Sequence, residues 1–163
     1  RRPPRSTLFP YTTLFRSTTQ KEKLFKDAER QWNTLSTEKG APGRKVDFEI
    51  YKSILYNLEI RKVYLDSKLS LEKFSSIVGT NTTYLSNAVN NYFGCNFKRL
   101  INSYRVVRAK ELLDGKDCPV NELFSRCGFA SKSVFYVAFR KVVGMTPLQY
   151  ISQSRNPFMI QRN

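Results

Sequence analysis

An internal repeat constrains the fold of this chain more than any other feature of its sequence. Residues 69–94 (LSLEKFSSIVGTNTTYLSNAVNNYFG) and residues 120–144 (VNELFSRCGFASKSVFYVAFRKVVG) share one pattern of apolar residues and glycines. Gly79 matches Gly128 at an offset of 49, and the later positions match at an offset of 50, so one residue is inserted in the turn. The later matches pair Leu85, Val89 and Gly94 with Phe135, Phe139 and Gly144. Such self-similarity predicts two copies of one supersecondary unit.

Each copy has the pattern of a helix, a glycine turn and a second, capped helix. Gly79 and Gly128 allow the sharp turn, because a left-handed backbone causes glycine no side-chain clash. Asn81 or Thr82 is expected to cap the second helix of the first copy, and Ser131 that of the second copy. The predicted buried faces of these second helices are Leu85, Ala88, Val89 and Tyr92 in one copy, and Phe135, Ala138, Phe139 and Val142 in the other.

The segments around the repeat are also predicted to be helical. A first helix of about 16 residues is expected from Asp47, with an apolar period that continues through residues 60–63. A long helix from Phe97 to Leu113 links the two copies, with Gly115 ending it. Its apolar side is expected to be Leu100, Ile101, Tyr104, Val107 and Leu112. The predicted fold class is therefore all-α: two helix-turn-helix units joined by a long linking helix, with about seven helices.

Four regions are expected along the chain. Residues 1–20 carry no period that continues into the neighbouring segment and resemble a translated sequencing adapter, so they are predicted to be non-native or disordered; a genuine basic arm is the alternative. Residues 21–44 combine a short amphipathic helix (Leu24, Ala28, Trp32, Leu35) with a linker at residues 40–43. Residues 45–155 form the double helix-turn-helix domain, and residues 156–163 form a tail.

Charge and missing residue types narrow the function. The formal net charge is +15, of which +9 lies after Arg44, and such an excess suits a polyanion. The chain contains no histidine, which removes histidine nucleophile pairs and zinc-finger patterns. Its three cysteines fit no Cys-x-x-Cys pair, and Cys127 is expected to be a small core residue. No phosphate- or dinucleotide-binding fingerprint occurs. We therefore predict neither an enzyme nor a protein with a cofactor or metal.

The second helix of each unit leaves one face for a partner. In a helix-turn-helix this face enters the major groove, where short polar side chains can hydrogen-bond base edges. Exposed Lys and Arg near these helices are expected to contact phosphates, although Arg105 and Arg108 equally suit structural ion pairs on the linking helix. The predicted base contacts are Thr82, Thr83, Ser86, Asn87, Asn90, Lys132, Ser133, Tyr136 and Val137. The predicted phosphate contacts are Lys98, Arg99, Arg140 and Lys141.

Residues 71–155 resemble the AraC/XylS family of transcription regulators. The second copy carries the specific pattern GF-x5-F-x3-FRK-x2-G-x-TP-x2-Y from Gly128 to Tyr150, and the first carries Tyr84-Leu85-Ser86 and Gly94. The resemblance implies that two recognition helices enter adjacent major-groove segments of double-stranded DNA. The chain departs from the family at Ser75 and Phe124, where a small alanine is usual, and at Thr82, Asn87 and Val137, which are often arginine.

The resemblance also implies further partners. Residues 48–70 and 22–35 resemble parts of large Bacteroidetes-type regulators, so the chain is expected to be a C-terminal fragment whose sensor, anchored in the inner membrane, is missing. RNA polymerase is a second expected partner. The domain is expected to be cytoplasmic, because three cysteines without a paired spacing suit a reducing compartment. No run of about 20 apolar residues occurs that could span a membrane. Two alternatives stay open: a non-specific nucleic-acid-binding module, and a fragment that binds protein and not DNA.

Overall fold

The computed structural model describes residues 43–115 and 118–155, together with Lys26. Within these ranges the chain forms seven α-helices and one 3-10 turn at Val63–Leu65, and no β-strand. The helices are α1 (Gly43–Glu59), α2 (Leu71–Val78), α3 (Thr82–Phe93), α4 (Phe97–Asp114), α5 (Leu123–Arg126), α6 (Lys132–Val143) and α7 (Pro147–Arg155). The predicted all-α class is confirmed. The predictions for residues 1–20, for the helix and linker at residues 21–42 and for the tail at 156–163 lie outside these ranges, apart from Lys26.

The described residues form two compact units. The first unit comprises the residues up to Val63 together with Leu69–Leu100. The second unit comprises Tyr64–Lys68 and the residues from Ile101 onward. Each unit contains one helix-turn-helix, α2–α3 in the first and α5–α6 in the second, as the repeat predicts.

The core of the first unit is built from the apolar faces of α1, α2 and α3. Phe74, Leu85 and Val89 are completely buried there. Aromatic side chains extend this core, with the rings of Tyr51 and Phe93 5.6 Å apart and those of Phe74 and Phe97 also 5.6 Å apart. Burial of these faces, more than intrinsic helix propensity, holds such short helices in place.

The core of the second unit is a cluster of aromatic and small apolar residues. Its buried members are Val106, Ala109, Leu112, Leu123, Cys127, Phe129, Phe135, Ala138 and Phe139. Burial raises the pKa of the Cys127 thiol to about 12, so the group stays protonated at neutral pH. Cys127 is thus the core residue that its apolar surroundings in the sequence predict.

The two turns differ by the one residue that the repeat offset indicates. Gly79 has φ +81° and is followed by Thr80 and the cap Asn81. Gly128 has φ +79°, and two residues separate it from the cap Ser131. One of these two residues, Phe129, is buried and its backbone N–H donates to the Phe124 carbonyl oxygen at 2.8 Å. The longer turn therefore places an additional aromatic ring in the second core.

Buried Arg105 holds the segment before α2 against the rest of the second unit. Its Nε donates to the Tyr64 carbonyl oxygen at 2.7 Å and its Nη2 to the Asp66 carbonyl oxygen at 2.8 Å. The guanidinium carbon lies 5.5 Å from the centroid of the Phe129 ring. Burial lowers the pKa of Arg105, an effect that nearby Asp66 opposes. Arg108 instead pairs with Glu111 at 3.0 Å. Both arginines lie on α4, and both therefore make structural contacts within the protein.

The predicted first helix is wrong at both ends. α1 begins at Gly43 and not at the predicted Asp47. The prediction missed the first turn because the apolar period of the sequence starts only at Ile50. α1 ends at Glu59, and the expected continuation through residues 60–63 is absent. The backbone N–H of Arg61 bonds to the Tyr56 carbonyl oxygen at 3.2 Å, and Lys62 takes a left-handed φ of +51°. That conformation ends the helix although Ile60 and Val63, on either side of Arg61 and Lys62, are apolar.

Two predicted core positions are wrong by one residue. Val106 is completely buried on α4, whereas the predicted Val107 is only half-buried. On α6 the predicted Val142 is 44% exposed, and Val143 packs against the core. Adjacent helical residues lie about 100° apart, so one of two neighbouring valines faces the core and the other does not. Tyr92, also predicted to be buried, is half-buried, while Phe93 is buried.

Candidate nucleic-acid interface

The sequence of α3 fixes which of its faces stays exposed. The side-chain oxygen of Asn81 accepts from the backbone N–H of Tyr84 at 2.8 Å, so Asn81 is the cap and the alternative Thr82 is the first residue of the helix. Gly94, with φ +64°, ends it. Leu85, Ala88, Val89 and Phe93 are buried, which leaves an uncharged polar face at the surface. On this face Thr83, Asn87 and Asn90 are exposed, whereas Thr82 and Ser86 are half-buried.

The sequence of α6 repeats this arrangement in the second unit. Oγ of Ser131 accepts from the backbone N–H of Val134 at 3.3 Å, which confirms the predicted cap. Phe135, Ala138 and Phe139 are buried, so the opposite face is exposed. That face carries Lys132, Ser133, Val134, Val137, Arg140 and Lys141.

Two of the predicted base-contacting residues of α6 have partners within the protein. The ammonium of Lys132 donates to Oδ1 of Asn121 at 3.3 Å and lies 5.8 Å from the centroid of the Tyr136 ring. Tyr136 is half-buried, and its ring meets that of Phe135 edge-on at 5.6 Å. Ser133 and Val137 are therefore the predicted positions of α6 that are most open to a partner.

The predicted phosphate contacts lie at helix ends. Lys98 and Arg99 are exposed in the first turn of α4, where Oδ1 of Asn96 accepts from the Arg99 backbone N–H at 2.9 Å. A cation in a first turn is unfavourable to the helix dipole, whereas an anion bound there is favoured. Arg140 and Lys141 are exposed in the last turn of α6, where cations suit the dipole. The positions of Lys98 and Arg99 thus favour a role in anion binding.

The first turns of α3 and α6 contain no acidic residue. α2, which precedes the turn in the first unit, has Glu72 in its first turn, where its pKa is lowered by hydrogen bonds to its own backbone and to Ser70. Carboxylates stabilise helix N-termini, so a terminus without one keeps its positive end available to a phosphate. The second helix of each unit is therefore suited electrostatically to a polyanion.

The sequence did not indicate that Arg105 is buried and holds the Tyr64–Asp66 segment by two hydrogen bonds. An arginine on an amphipathic helix gives no sign that it is buried, because the same residue type is common on solvated faces. The carbonyl groups that it holds lie 41 and 39 residues earlier in the chain, outside any local pattern.

Two classes of site receive no support from the described part of the chain. It contains no group of three or more acidic or sulfur-bearing residues placed to hold a metal ion. Its helices are too short or too polar to cross a membrane.

The chain is similar to known regulators. A family model described as a helix-turn-helix domain matches residues 74–153. The HTH-type transcriptional activator RhaR of Enterobacter sp. is 31% identical over 91 residues, which are 56% of this chain and 32% of that protein. The regulatory protein PocR of Salmonella typhimurium is 28% identical over 130 residues, 80% of this chain and 41% of that protein. The solved C-terminal domain of AraT, a response regulator from Geobacillus stearothermophilus, superposes with a TM-score of 0.57 at 28% identity and covers 64% of this chain and 84% of that one.

This chain spans less than half the length of the curated relatives it matches. The relatives carry the names of regulators and not of enzymes, which confirms the class of protein that the sequence predicts. The matched region contains both helix-turn-helix units from Phe74 onward, including α3, α4 and α6. The match of residues 74–153 to a helix-turn-helix domain, and to proteins named as transcription regulators, agrees with the resemblance of residues 71–155 to the AraC/XylS family.

Proposed function

We propose that residues 45–155 bind double-stranded DNA sequence-specifically and so regulate transcription, with α3 and α6 as recognition helices in adjacent major-groove segments. One observation carries the proposal: each recognition helix is capped, is held by a buried apolar face, and presents an exposed face with no acidic residue in its first turn. A major groove is wide enough to admit a helix, and its base edges carry a distinct pattern for each base pair.

The two kinds of predicted contact have different chemistry. Thr83, Asn87 and Asn90 are uncharged and exposed, so they can form hydrogen bonds with base edges without adding general attraction to DNA. Asn is suited to adenine, which offers one donor and one acceptor in the major groove. Thr82 and Ser86 supplement this set in α3, as Lys132, Ser133, Tyr136 and Val137 do in α6. Lys98, Arg99, Arg140 and Lys141 supply the phosphate contacts that position the protein.

Because the matched relatives are far longer than this chain, we propose that it works as the C-terminal part of a Bacteroidetes-type regulator whose sensor portion lies elsewhere in the protein and is anchored in the inner membrane. Its DNA-binding part acts in the bacterial cytoplasm, where the DNA lies. RNA polymerase is its second partner at the promoter.

Affinity for DNA is expected to fall steeply with salt. Each phosphate that a lysine or arginine neutralises releases counterions, so four such contacts give a slope of about −3.6 in a plot of log affinity against log salt. Between about 50 and 200 mM salt the affinity is then expected to fall about a hundredfold. Titration of a fluorescent duplex at several salt concentrations measures the slope. A flat response would contradict the phosphate contacts.

Asn87→Ala and Lys98→Ala are expected to weaken binding in different ways. Loss of the Asn87 amide is expected to cost about 1–3 kcal/mol on the preferred site and to relax the choice at one or two base pairs. Loss of the Lys98 ammonium is expected to weaken binding to all duplexes alike and to lower the salt slope by about one unit, as Arg99→Ala also should. Titrations against a site selected from random duplexes and against a scrambled duplex, at two salt concentrations, separate the two effects.

Two exposed residues outside the proposed contacts provide controls. Gln153 on α7 carries the same amide as Asn87, and Lys68 carries the same ammonium as Lys98. Gln153→Ala and Lys68→Ala are expected to leave both the preference and the salt slope unchanged. If Asn87→Ala weakens binding to both duplexes equally, Asn87 does not contact bases. If selection recovers no preferred sequence while binding is tight, the chain is a non-specific nucleic-acid-binding module; if it binds no duplex, it is a protein-interaction fragment.

A further inference from the structure

Two valines of α6 face solvent and not the core. Val134 is 47% exposed and Val137 is 57% exposed, although Phe135, Ala138 and Phe139 on the same helix are buried. The two valines are three residues apart and so share one face of the helix. A single exposed apolar residue is ordinary on a protein surface. Whether these two valines have a function therefore depends on which positions of the helix they occupy.

The repeat aligns Val137 with Asn87, one of the proposed base contacts of the first unit. At the offset of 50 residues that aligns the two units, Val137 corresponds to Asn87. Both side chains are exposed, and both lie five positions after the first residue of their helices. The same offset pairs Asn90 with Arg140 and Asn91 with Lys141, all of them exposed. The two recognition helices therefore present the same positions with different chemistry: amides in α3, and a valine followed by two cations in α6.

A valine favours a base pair through apolar contact and not through hydrogen bonds. Its side chain forms no hydrogen bond, so it cannot read the donors and acceptors of a base edge, but it can contact the C5 methyl group of thymine, the only methyl group in the major groove of unmodified DNA. Arg140 and Lys141 follow Val137 by about one helical turn and are exposed. Cations beside the apolar position suit a polyanion with methyl groups in its groove better than they suit the apolar surface of another protein.

We propose that Val137 contacts the thymine methyl group in the DNA segment bound by α6, so that the second unit selects thymine by apolar contact where the first unit selects bases by hydrogen bonds. Val134, on the same side of the helix, widens the apolar surface. This inference rests on the proposed sequence-specific binding to DNA and assigns the chemistry of one half of the site.

Replacement of thymine by deoxyuridine tests the contact, because the two bases pair identically and differ only in the methyl group. A preferred duplex is first selected from random DNA, and each thymine is then replaced singly by deoxyuridine. For the unmodified protein, at least one replacement is expected to weaken binding about fourfold, the effect of withdrawing one methyl-sized group from an apolar contact. For Val137→Ala that ratio is expected to fall to about one, because the methyl groups that made the contact are gone.

Val142 provides a matched control. It is the same residue type on the same helix, is 44% exposed, and lies on a different side of the helix from Val137. Val142→Ala is expected to keep the fourfold preference for thymine over deoxyuridine. Circular dichroism verifies that both variants are folded, which is expected because alanine favours helix at exposed positions.

The outcomes separate this inference from the proposed function. If selection yields no preferred duplex, the sequence-specific function itself is wrong. If a preferred duplex exists but no thymine is sensitive to deoxyuridine, or if the sensitivity persists in Val137→Ala, the methyl contact is wrong while the function stands. A loss of thymine preference in Val142→Ala in place of Val137→Ala would likewise overturn the assignment of the contact to Val137.

Discussion

Replacing Phe135 by alanine is expected to lower the free energy of unfolding by about 3–5 kcal/mol. Phe135 is completely buried, and its ring centroid lies 5.3 Å from that of Phe129 and 5.7 Å from that of Phe139. Removal of the ring leaves a cavity that these rigid neighbours cannot fill, so both the burial free energy and the packing contacts are lost. Domains of this size are stable by only about 5–15 kcal/mol. Urea unfolding followed by circular dichroism measures the change.

Leu148 provides the control for this substitution. It lies on α7 in the same unit and is 57% exposed, so Leu148→Ala is expected to change the stability by no more than about 0.5 kcal/mol. Equal urea midpoints for Phe135→Ala and the unmodified protein would show that Phe135 does not support the second core. The same loss is expected for Phe139→Ala, since Phe139 is also completely buried and its ring lies 5.8 Å from that of Tyr150.

The elements that the sequence predicted correctly are those with local signals. A cap acts over three residues: Asn81 accepts from the backbone N–H of Tyr84, and Ser131 from that of Val134. A glycine that must take a positive φ marks its own position, as Gly79 and Gly128 do. Because these signals occur twice in one order, the repeat located the start of α6 at Ser131 and that of α3 at Asn81 or Thr82, of which the structure has Asn81 as the cap.

The elements that the sequence did not predict depend on distant or ambiguous contacts. Arg105 bonds to carbonyl groups 39 and 41 residues away, and nothing near it in the chain indicates that it is buried. The end of α1 depends on the left-handed conformation of Lys62, a residue type that rarely adopts it. Periodicity also could not choose between Val106 and Val107, because each gives an acceptable apolar face.

In the candidate site, the sequence predicts which side chains of α3 and α6 are exposed better than it predicts what each of them contacts. Thr83, Asn87, Asn90, Ser133 and Val137 are exposed as the helical period requires. The engagement of Lys132 with Asn121 was not foreseen, because the two residues lie 11 positions apart across the turn. Which bases these side chains contact depends on the DNA, whose shape and sequence are not encoded in the chain.

Gly128→Ala is expected to lower the stability of the second unit more than any other substitution that adds one methyl group. A Cβ at this position would lie 2.6 Å from the backbone carbonyl oxygens of both Tyr64 and Leu65. The Tyr64 carbonyl cannot move away easily, since it also accepts the 2.7 Å hydrogen bond from buried Arg105. The left-handed φ of +79° adds about 1–2 kcal/mol of strain for a residue with a side chain. Together with about 1–3 kcal/mol for overpacking, the expected loss of stability is roughly 2–5 kcal/mol.

Gly144→Ala separates the two contributions to this loss. Gly144 lies in the same unit and has a similar φ of +85°, but a Cβ there would meet no atom within 4 Å. Its substitution is therefore expected to cost only the left-handed strain of about 1–2 kcal/mol, and urea midpoints for the two variants measure the difference. Equal losses would mean that the Tyr64–Asp66 segment can withdraw from the turn at no cost, and that Arg105 does not hold it there. Gly128→Ala is expected to lose more stability than Gly144→Ala. If replacement of Arg105 reduces that additional loss, the Arg105 hydrogen bonds and the close packing at Gly128 act together to hold the Tyr64–Asp66 segment.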